Sequence, residues 1–472
     1  MCIRDSYDGV QRVARADPSG PRSQADVAVE SFRNNDGLSS DVTNQVFEDR
    51  EGNVWIGTER GLDKFRPATL RAEPGLRSPA AFGDKLMQAS DGSVYIGEAR
   101  TIYRVAPGGE PTPILQDVRE PQSICEAPDG GVWIAFSRRI VVWKDGRVRR
   151  SIERPNTGSV HGIIYDCAFD GQGDYWYAAG GAGMYRYRAG RWQAMFGQTD
   201  VDGFYPMTLV SDPKGRLIVQ WGRRSLAWID PSTRQLTPLN FGAGPPRASG
   251  PADLGEGGPQ PLTVYAAGGG DVFVAGASGL SRFRAGRFQT LWPDGRPRSR
   301  RISGLVQTPE GDTWIAFPMT LERFRAQDLE RAFSEGAFPR PSVSLGFGDG
   351  LTSRTHSHTQ RSIVRGGDGR LWIATETGAV WMDPTRIVRD DLQPGVAIRS
   401  VTADRRIYRD PTALRLREAT SNVEIDYAVL SFADPRNAQV RYRLEGFDKA
   451  WLDPGARRQA FYTNLPLSLI HI

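Results

Sequence analysis

Short apolar runs separated by turn residues recur along most of the chain. In the clearest unit, Gly37–Phe65, the segment Val42–Glu48 alternates loosely between apolar and polar residues. The turn Asp49–Asn53 leads into the nearly continuous apolar run Val54–Thr58, and Leu62–Phe65 alternates again. Alternation is typical of a half-buried strand, and a short continuous run is typical of a strand buried on both faces. The unit therefore predicts three antiparallel strands, with a weaker fourth strand after them.

The core of this unit, Gly-x-x-aromatic-Ile-small, recurs eight times. The glycine and the aromatic anchor pair as Gly52 with Trp55, Gly92 with Tyr95, Gly130 with Trp133, Gly173 with Trp176, Gly311 with Trp314, and Gly369 with Trp372. Two degenerate copies pair Gly215 with Ile218 and Gly270 with Phe273. The residue two positions after the anchor is small in every copy except the one with Gln220. A small side chain there lets neighbouring repeats pack closely around the anchor.

Successive anchors lie 38 to 58 residues apart, and most spacings are close to 40. That is the period of a four-stranded propeller blade. The sequence therefore predicts an all-β fold, with a seven- to eight-bladed β-propeller over residues 31–390. The two longest spacings hold insertions. Residues 241–260 are rich in Gly and Pro and predict a surface loop, and residues 326–336 predict a short helix.

The repeat period stops after Pro384, and ordinary strand patterns follow. Strands are predicted over Val396–Val401, Ala413–Leu416, Val423–Tyr427 and Val440–Leu444. Residues 395–466 are therefore expected to form a second domain, an incomplete β-sandwich. Residues 1–30 are expected to combine a non-native end with the remnant of an upstream blade, and residues 467–472 to be another non-native end.

Composition narrows the function classes. The 472 residues include 60 Lys plus Arg and 55 Asp plus Glu, a net charge of +5 that is too dilute to indicate a nucleic-acid-binding protein. No apolar run reaches the 18 residues of a membrane span. Cys125 and Cys167 fall at different offsets of neighbouring repeats, so free thiols are expected, with a disulfide as the alternative.

The sequence shows no catalytic constellation. Gly-x-Ser-x-Gly, a phosphate-binding Walker loop and His-Glu-x-x-His are all missing from it. His356 and His358 are two residues apart and would share a face of a strand, which is a spacing that could hold a metal. Because no third ligand is close in sequence, these histidines are expected to be polar loop residues. No metal and no cofactor is predicted.

Propeller geometry brings candidate binding residues to one end of the central channel. Turns after the second strands and connections into the inner strands share that end. The turns carry Arg60, Arg100, Arg138, Arg139, Arg223 and Arg224, and the connections carry Ser39, Ser40, His161, Tyr205, Arg354, His356 and His358. Guanidinium groups bind carboxylate, sulfate or phosphate in bidentate fashion, so this rim is predicted to bind a ligand. The alternative is that a chain with 55 Arg places some on any rim.

The unit Gly37–Phe65 resembles the repeat of the two-component regulator propeller family. Segment Tyr442–Pro466 resembles the triple-tyrosine (Y_Y_Y) domain that follows such propellers, and Gly350–Pro384 resembles the last blade before it. The resemblance implies an extracytoplasmic, periplasmic sensor region of a hybrid histidine kinase or diguanylate cyclase. It also implies a small ligand such as an oligosaccharide, a membrane helix and output module further along the chain, and a homodimer in the full-length protein. Because proteins of this family often carry two stacked propellers of about seven blades each, the alternative to a single ring is one ring plus part of another.

Three classes of function remain open. The first is a sensor region that binds a small ligand and relays the event to an output module. The second is a propeller enzyme such as a polysaccharide lyase, which would need a Tyr or His base in its channel. The third is a protein-interaction scaffold. The Y_Y_Y-like segment favours the sensor, since a lyase or a scaffold has no use for it.

Overall fold

The computed structural model divides the chain into two compact units. The first comprises Met1–Pro67 with Val388–Ile472, and the second comprises Ala68–Ile387. The structure describes residues 2–4, 8–13, 29–76, 80, 83–155, 163–180, 182–197, 206–221, 225–239, 263–267, 269–276, 279–292, 301–356, 361–387, 394–417, 420–432, 440–455 and 457–465. Each unit is built almost entirely from antiparallel β-sheet.

The first unit begins with two small sheets. One sheet contains β1 (Cys2–Arg4), β2 (Val10–Val13) and β3 (Val29–Phe32), and the other contains β4 (Thr43–Glu48), β5 (Val54–Thr58) and β6 (Leu62–Phe65). A short 3-10 helix, Asn34–Asp36, precedes the second sheet. The strands of the second sheet match those predicted from the clearest repeat.

The second unit contains seven four-stranded sheets among its described residues. The strand β7 (Arg71–Ala72) precedes the first complete blade. Blade 1 contains β8 (Lys85–Gln88), β9 (Val94–Gly97), β10 (Ile102–Val105) and β11 (Pro111–Leu115). Blade 2 contains β12 (Ser123–Glu126), β13 (Val132–Ala135), β14 (Arg139–Lys144) and β15 (Arg147–Glu153). Blade 3 contains β16 (Ile164–Phe169), β17 (Tyr175–Ala179), β18 (Gly183–Arg188) and β19 (Arg191–Phe196).

Blades 4 to 7 follow the same order. Blade 4 contains β20 (Pro206–Ser211), β21 (Leu217–Trp221), β22 (Ser225–Ile229) and β23 (Leu236–Pro238), and blade 5 contains β24 (Thr263–Ala266), β25 (Val272–Gly276), β26 (Gly279–Arg284) and β27 (Arg287–Leu291). Blade 6 contains β28 (Gly304–Gln307), β29 (Thr313–Phe317), β30 (Thr320–Phe324) and β31 (Val343–Leu345). Blade 7 contains β32 (Ile363–Arg365), β33 (Leu371–Thr375) and β34 (Gly378–Met382). The inserted helix α1 (Ala326–Glu335) lies where the sequence predicts it, and a 3-10 helix spans Phe347–Asp349.

The seven blades close into a ring. The inner strands β8, β12, β16, β20, β24, β28 and β32 contact one another in that order, and β32 contacts β8. The early strand β7 pairs with β34 and supplies the outer strand of blade 7, with Ala72 opposite Val380. The ring is therefore held shut by a strand from the beginning of the unit, which adds backbone hydrogen bonds between its two chain ends.

The boundaries of this ring differ from the predicted range 31–390. The ring spans Ala68–Ile387, and the repeat Gly37–Phe65 belongs to the other unit. The physical reason is the closure by β7, which completes blade 7 from a segment after that repeat. The sequence pattern is the same in all eight copies, but only seven of them enter this ring.

The anchor residues fill the spaces between neighbouring blades, as predicted. Trp372 of blade 7 is 1% exposed and packs with Leu86, Val94 and Ile96 of blade 1. The small residue Ala374 lies in the same cluster and is fully buried. Burying a large aromatic side chain against apolar neighbours is a major source of stability, so the anchors join consecutive blades.

An aspartate before the turn glycine explains the repeated turn. Asp170 Oδ1 accepts hydrogen bonds from the backbone N–H groups of Gln172 and Asp174, and Asp170 Oδ2 accepts one of 2.8 Å from Trp176 Nε1. Gly173 adopts φ +81° in this turn, a conformation that favours glycine. Asp49 holds Trp55 in the same way at 2.8 Å. One carboxylate therefore fixes both the turn and the indole.

The expectation of free thiols is wrong, because Cys125 and Cys167 form a disulfide. Their sulfur atoms are 1.99 Å apart and their Cα atoms 6.1 Å apart. Cys125 lies on β12 and Cys167 on β16, the inner strands of blades 2 and 3, and both are buried. Their different offsets in the repeat do not prevent pairing, since the two inner strands are neighbours in the ring.

The C-terminal part of the first unit is a four-stranded sheet with order β36-β35-β37-β38. Its strands are β35 (Gly395–Ala403), β36 (Arg406–Arg409), β37 (Val423–Leu430) and β38 (Gln459–Tyr462). The strands predicted at Ala413–Leu416 and Val440–Leu444 are wrong: β36 pairs with β35 instead, and Tyr442 forms only an isolated bridge with Leu452. A two-residue turn with positive φ at Asp404 and Arg405 joins β35 to β36 in a hairpin. This turn was not predicted from the sequence, because neither of its residues is the glycine that usually marks such a turn.

Candidate functional site

The blade turns define an upper end of the ring, which carries the turns between second and third strands. In blade 1 the backbone N–H of Val118, on the connection into blade 2, donates to the carbonyl of Arg100 at 3.1 Å. In blade 2 the N–H of Arg154 donates to the carbonyl of Arg138 at 3.0 Å. These bonds join the turns to the connections into the inner strands, which therefore share the upper end as predicted.

Three arginines of the predicted rim lie on this end. Arg100, Arg138 and Arg139 are all exposed. The Arg100 guanidinium forms an ion pair of 3.1 Å with Asp117, and its side chain is still 74% exposed. An exposed ion pair contributes little stability, so this guanidinium can exchange its partner for a ligand anion at low cost.

The other predicted residues fall into three groups. Arg354 and His356 lie on the connection into blade 7 at the same end, where the Glu376 N–H donates to the Arg354 carbonyl at 2.9 Å. Arg60, with Ser39 and Ser40, lies in the first unit and not on the seven-bladed ring. Its turn follows a second strand as in the other repeats, but the inner strand β4 is not part of the ring. The residues that lie outside the described part of the chain are His161, Tyr205, Arg223, Arg224 and His358.

His356 is buried beside the connection into blade 1. It is 7% exposed, and its backbone N–H donates to the Ala374 carbonyl at 2.9 Å. The imidazole lies against Gly83, where a Cβ atom would collide with the ring. Among the described residues no three His, Cys, Asp or Glu side chains form a group that could hold a metal. Through its contact with Gly83, the His356 imidazole forms part of the protein wall at the upper end of the ring.

A buried carboxyl follows Gly83 directly. Asp84 is fully buried, and its Oδ1 atom accepts a hydrogen bond of 3.1 Å from the Ala80 N–H. Its Oδ2 atom is buried and has no hydrogen-bond partner in the described structure. Burial raises the pKa of Asp84 to about 6, and the Ala80 N–H and the charge of Lys85 oppose that rise. This carboxyl is thus poised to change its charge near neutral pH.

Further charged residues interact with Asp84 at the channel mouth, either directly or through Lys85 and Asp166. Burial lowers the pKa of Lys85 to about 8, and the charges of Glu120, Asp84 and Asp166 oppose that fall. We use "charged mouth" for Asp84, Lys85, Glu120, Asp166 and Arg361. The charged mouth draws on blades 1, 2, 3 and 7, so it exists only when the ring is closed.

Asp166 fixes the charged mouth to the inner strands. Its Oδ2 atom accepts a hydrogen bond of 3.1 Å from the Leu209 N–H of blade 4, and its Oδ1 atom accepts one of 2.9 Å from the Cys167 N–H. Burial raises the pKa of Asp166, and the charge of Arg361 opposes the rise. Sequence reasoning missed the charged mouth because its members occupy different positions of their repeats. The one available signal was a charged residue beside or within an apolar inner strand.

The upper end therefore offers two kinds of binding group. Exposed guanidinium groups lie on the rim, and buried carboxyls with half-buried cations lie at the channel mouth. Such an arrangement can orient a polar ligand with one anionic part.

The longest described helix, α1, has ten residues, so no described helix meets the length and hydropathy of a membrane span.

The tyrosines of the C-terminal sheet cluster together. The rings of Tyr442 and Tyr462 are 6.0 Å apart in an edge-to-face arrangement. Tyr462 donates a hydrogen bond of 2.8 Å to Asp448 Oδ2, and Tyr427 donates one of 3.2 Å to the Arg457 carbonyl. Tyr462 and Tyr427 therefore fill this core with their rings while their hydroxyl groups remain hydrogen-bonded.

Comparison with family models finds two matches. Residues 37–60 match the two component regulator propeller, and residues 431–467 match the Y_Y_Y domain. No curated protein matches the sequence.

Solved structures show the same fold at low identity. The extracellular domain of the hybrid two component system protein BT3049 from B. thetaiotaomicron has a TM-score of 0.64 at 14% identity. The match covers 98% of this chain and 64% of that chain. The extracellular domain of BT4673 from B. thetaiotaomicron matches with a TM-score of 0.51 at 15% identity, covering 98% of this chain and 64% of that one. The chain thus carries a two component regulator propeller repeat and a Y_Y_Y domain, as its repeated unit and its tyrosine segment predicted.

Proposed function

We propose that this chain is the extracytoplasmic ligand-sensing region of a bacterial two-component-type signalling protein. The observation that carries the proposal is the presence of both family matches on one chain, at residues 37–60 and 431–467. A propeller enzyme or a scaffold needs a ring of blades but has no use for a Y_Y_Y domain beside it.

Two further observations support this function. The fold matches the extracellular domain of a hybrid two component system protein, and this chain spans 64% of its length. The buried disulfide between Cys125 and Cys167 suits an oxidising compartment such as the periplasm. In this proposal a membrane helix and an output module, a histidine kinase or a diguanylate cyclase, belong to the full-length protein, which acts as a homodimer. The chain itself binds no nucleic acid and performs no catalysis.

The ligand that we propose is a small molecule with acidic groups, most simply an acidic oligosaccharide. Arg100, Arg138 and Arg139 offer exposed guanidinium groups at the upper end, and planar guanidinium forks bind carboxylate or sulfate in bidentate fashion. Lys85, Glu120 and Arg361 are the half-buried members of the charged mouth at the same end, and they would contact the hydroxyl groups of the sugar. His356 is a proposed wall of the same site. His161, Tyr205 and Arg223 are proposed members of the same rim from their sequence positions.

Calorimetric titration with paired acidic and neutral oligosaccharides tests the proposal. Acidic sugars should bind, and binding should weaken with salt because exposed charges are screened over about 10 Å at 0.1 M. Arg100→Ala and Arg138→Ala should each weaken binding about tenfold, the effect of losing a charge-assisted hydrogen bond. Arg287→Ala is the matched control, since Arg287 is exposed at the start of an outer strand, at the opposite end of the ring.

Each contrary result has a defined meaning. If acidic sugars bind equally to wild type and both rim variants, the rim is not the binding site. If the sugar is recovered cleaved, the chain is a propeller enzyme such as a lyase. If no small ligand binds while a folded protein partner does, the chain is a scaffold.

A further inference from the structure

A surface cavity lies between blades 1 and 2, at the end of the ring opposite the rim. We call it the blade 1–2 groove. Its volume is about 490 Å³, within the range of small-molecule sites. Its lining comes from the turns after the inner strands, the turns before the outer strands, and the strands between them, and includes Asp91, Tyr95, Arg104, Asp129, Trp143 and Lys144. The groove is therefore separate from the upper end.

Ion pairs from both blades line the blade 1–2 groove. Arg104 pairs with Asp91 at 2.9 Å on blade 1, and Lys144 pairs with Asp129 at 2.8 Å on blade 2. The hydrogen bond from Lys144 holds the pKa of Asp129 below its ordinary value, so this carboxylate stays ionised. The four side chains remain between 32% and 67% exposed, so each pair has hydrogen-bonding capacity to spare on its open side.

Aromatic side chains line the groove together with the ion pairs. Trp143 is half-buried and packs against the apolar cluster shared by the two blades, and Ile114 packs there as well. Tyr95 is 5% exposed, and burial raises the pKa of its hydroxyl, which therefore stays protonated. The groove thus combines an aromatic surface with donors and acceptors at fixed positions.

The charges of the groove decide which ligand it suits. Its lining holds three carboxylates, Asp91, Asp129 and Asp145, and each of them is ion-paired, with Arg104, Lys144 and Arg149 respectively. A ligand charge of either sign would therefore have to displace the partner from an existing ion pair. A neutral molecule with many hydroxyl groups can donate to the carboxylates, accept from the cations and lay an apolar ring face on an aromatic side chain.

We infer that the blade 1–2 groove binds one or two units of an uncharged saccharide. Trp143 provides the stacking surface, and the pairs Arg104–Asp91 and Lys144–Asp129 hold the hydroxyl groups from opposite walls. This site is additional to the rim and does not depend on the proposed sensor function. Because the glycan itself carries no charge, its affinity should change little with salt.

The test uses the whole chain and a panel of neutral disaccharides: maltose, cellobiose, lactose and xylobiose. Binding is measured by saturation-transfer NMR and calorimetry at low and high salt. At least one disaccharide should bind, and Trp143→Ala should weaken it about tenfold or more, while Trp143→Phe should retain most of the affinity. Trp451→Ala removes a tryptophan that is 57% exposed in the other unit and should leave binding unchanged.

Lys144→Ala provides a second variant that keeps the test decisive if Trp143→Ala fails to fold. Lys144→Ala removes a partly exposed side chain from one wall and should weaken binding about threefold to tenfold while the thermal midpoint stays unchanged. The inference is overturned if no disaccharide of the panel binds at millimolar concentration. It is also overturned if binding survives in both Trp143→Ala and Lys144→Ala. Arg100→Ala and Arg138→Ala should bind the neutral sugar normally, which separates this result from the outcome for the rim.

Discussion

Replacing both Cys125 and Cys167 with alanine should lower the free energy of unfolding of the propeller by about 4 kcal/mol. The disulfide closes a loop with a sequence separation of 42 residues. In the chain-entropy relation, closing a loop of that length removes about 13 cal/mol/K from the unfolded state, which is about 4 kcal/mol at 25 °C. The effect arises in the unfolded chain, since the bridge limits how far blades 2 and 3 can separate.

The assay is guanidinium unfolding of the purified chain, followed by tryptophan fluorescence. Wild type under oxidising conditions, reduced wild type and the double alanine variant are compared. The reduced wild type keeps both buried sulfur atoms, so its difference from the variant isolates the packing lost with the thiols. Most of the loss should already appear on reduction.

Two results would refute this reasoning. Alkylation of both cysteines after denaturation without a reductant would show that they are free thiols. Equal unfolding midpoints for oxidised wild type and the double alanine variant would show that the bridge does not stabilise the ring. Either result would also remove the support that the disulfide lends to an extracytoplasmic location.

Three other predictions follow from the structure. Trp372→Ala should cost roughly 3–5 kcal/mol in chemical denaturation because Trp372 is buried between blades 7 and 1, and an unchanged midpoint would contradict that packing. Burial raises the pKa of Asp84 from 3.8 to about 6, so the folded chain binds the proton more tightly and its stability should fall as the pH rises from about 4 to 6; Asp84→Asn should flatten that slope in unfolding curves. Residues 395–466 alone should not unfold cooperatively, because Val396, Ile398 and Phe461 are exposed on their sheet, and a sharp thermal transition would show otherwise.

The candidate site was only partly predictable from the sequence. Counting strands correctly places Arg100, Arg138 and Arg139 at one end of the ring, because turns alternate between the two ends of every blade. The same count misplaces Arg60, since its repeat has the same pattern as the others but lies in the other unit. Asp84 and Lys85 escaped notice because the charges that act on them, Glu120 and Asp166, belong to the next two blades and occupy other positions of the repeat.

The disulfide shows the same limit in another way. Cys125 and Cys167 are separated by 42 residues and occupy different offsets of their repeats. The distance between their sulfur atoms depends on how the neighbouring inner strands β12 and β16 are aligned, and no local sequence pattern encodes that alignment. Likewise, the hairpin at Asp404 and Arg405 depends on positive φ at residues that rarely adopt it.

The sequence by itself determined the blade, because a blade is a local structure. The turn glycine, the aspartate that holds the turn and the indole, and the alternation of apolar residues all act within about 30 residues. Tertiary structure decided how many blades close into one ring, and which ones. That choice depends on β7 pairing with β34 and on β32 meeting β8, contacts between segments about 300 residues apart. Only once these contacts form does the charged mouth acquire its shape, whereas the blade 1–2 groove needs only two consecutive blades to pack.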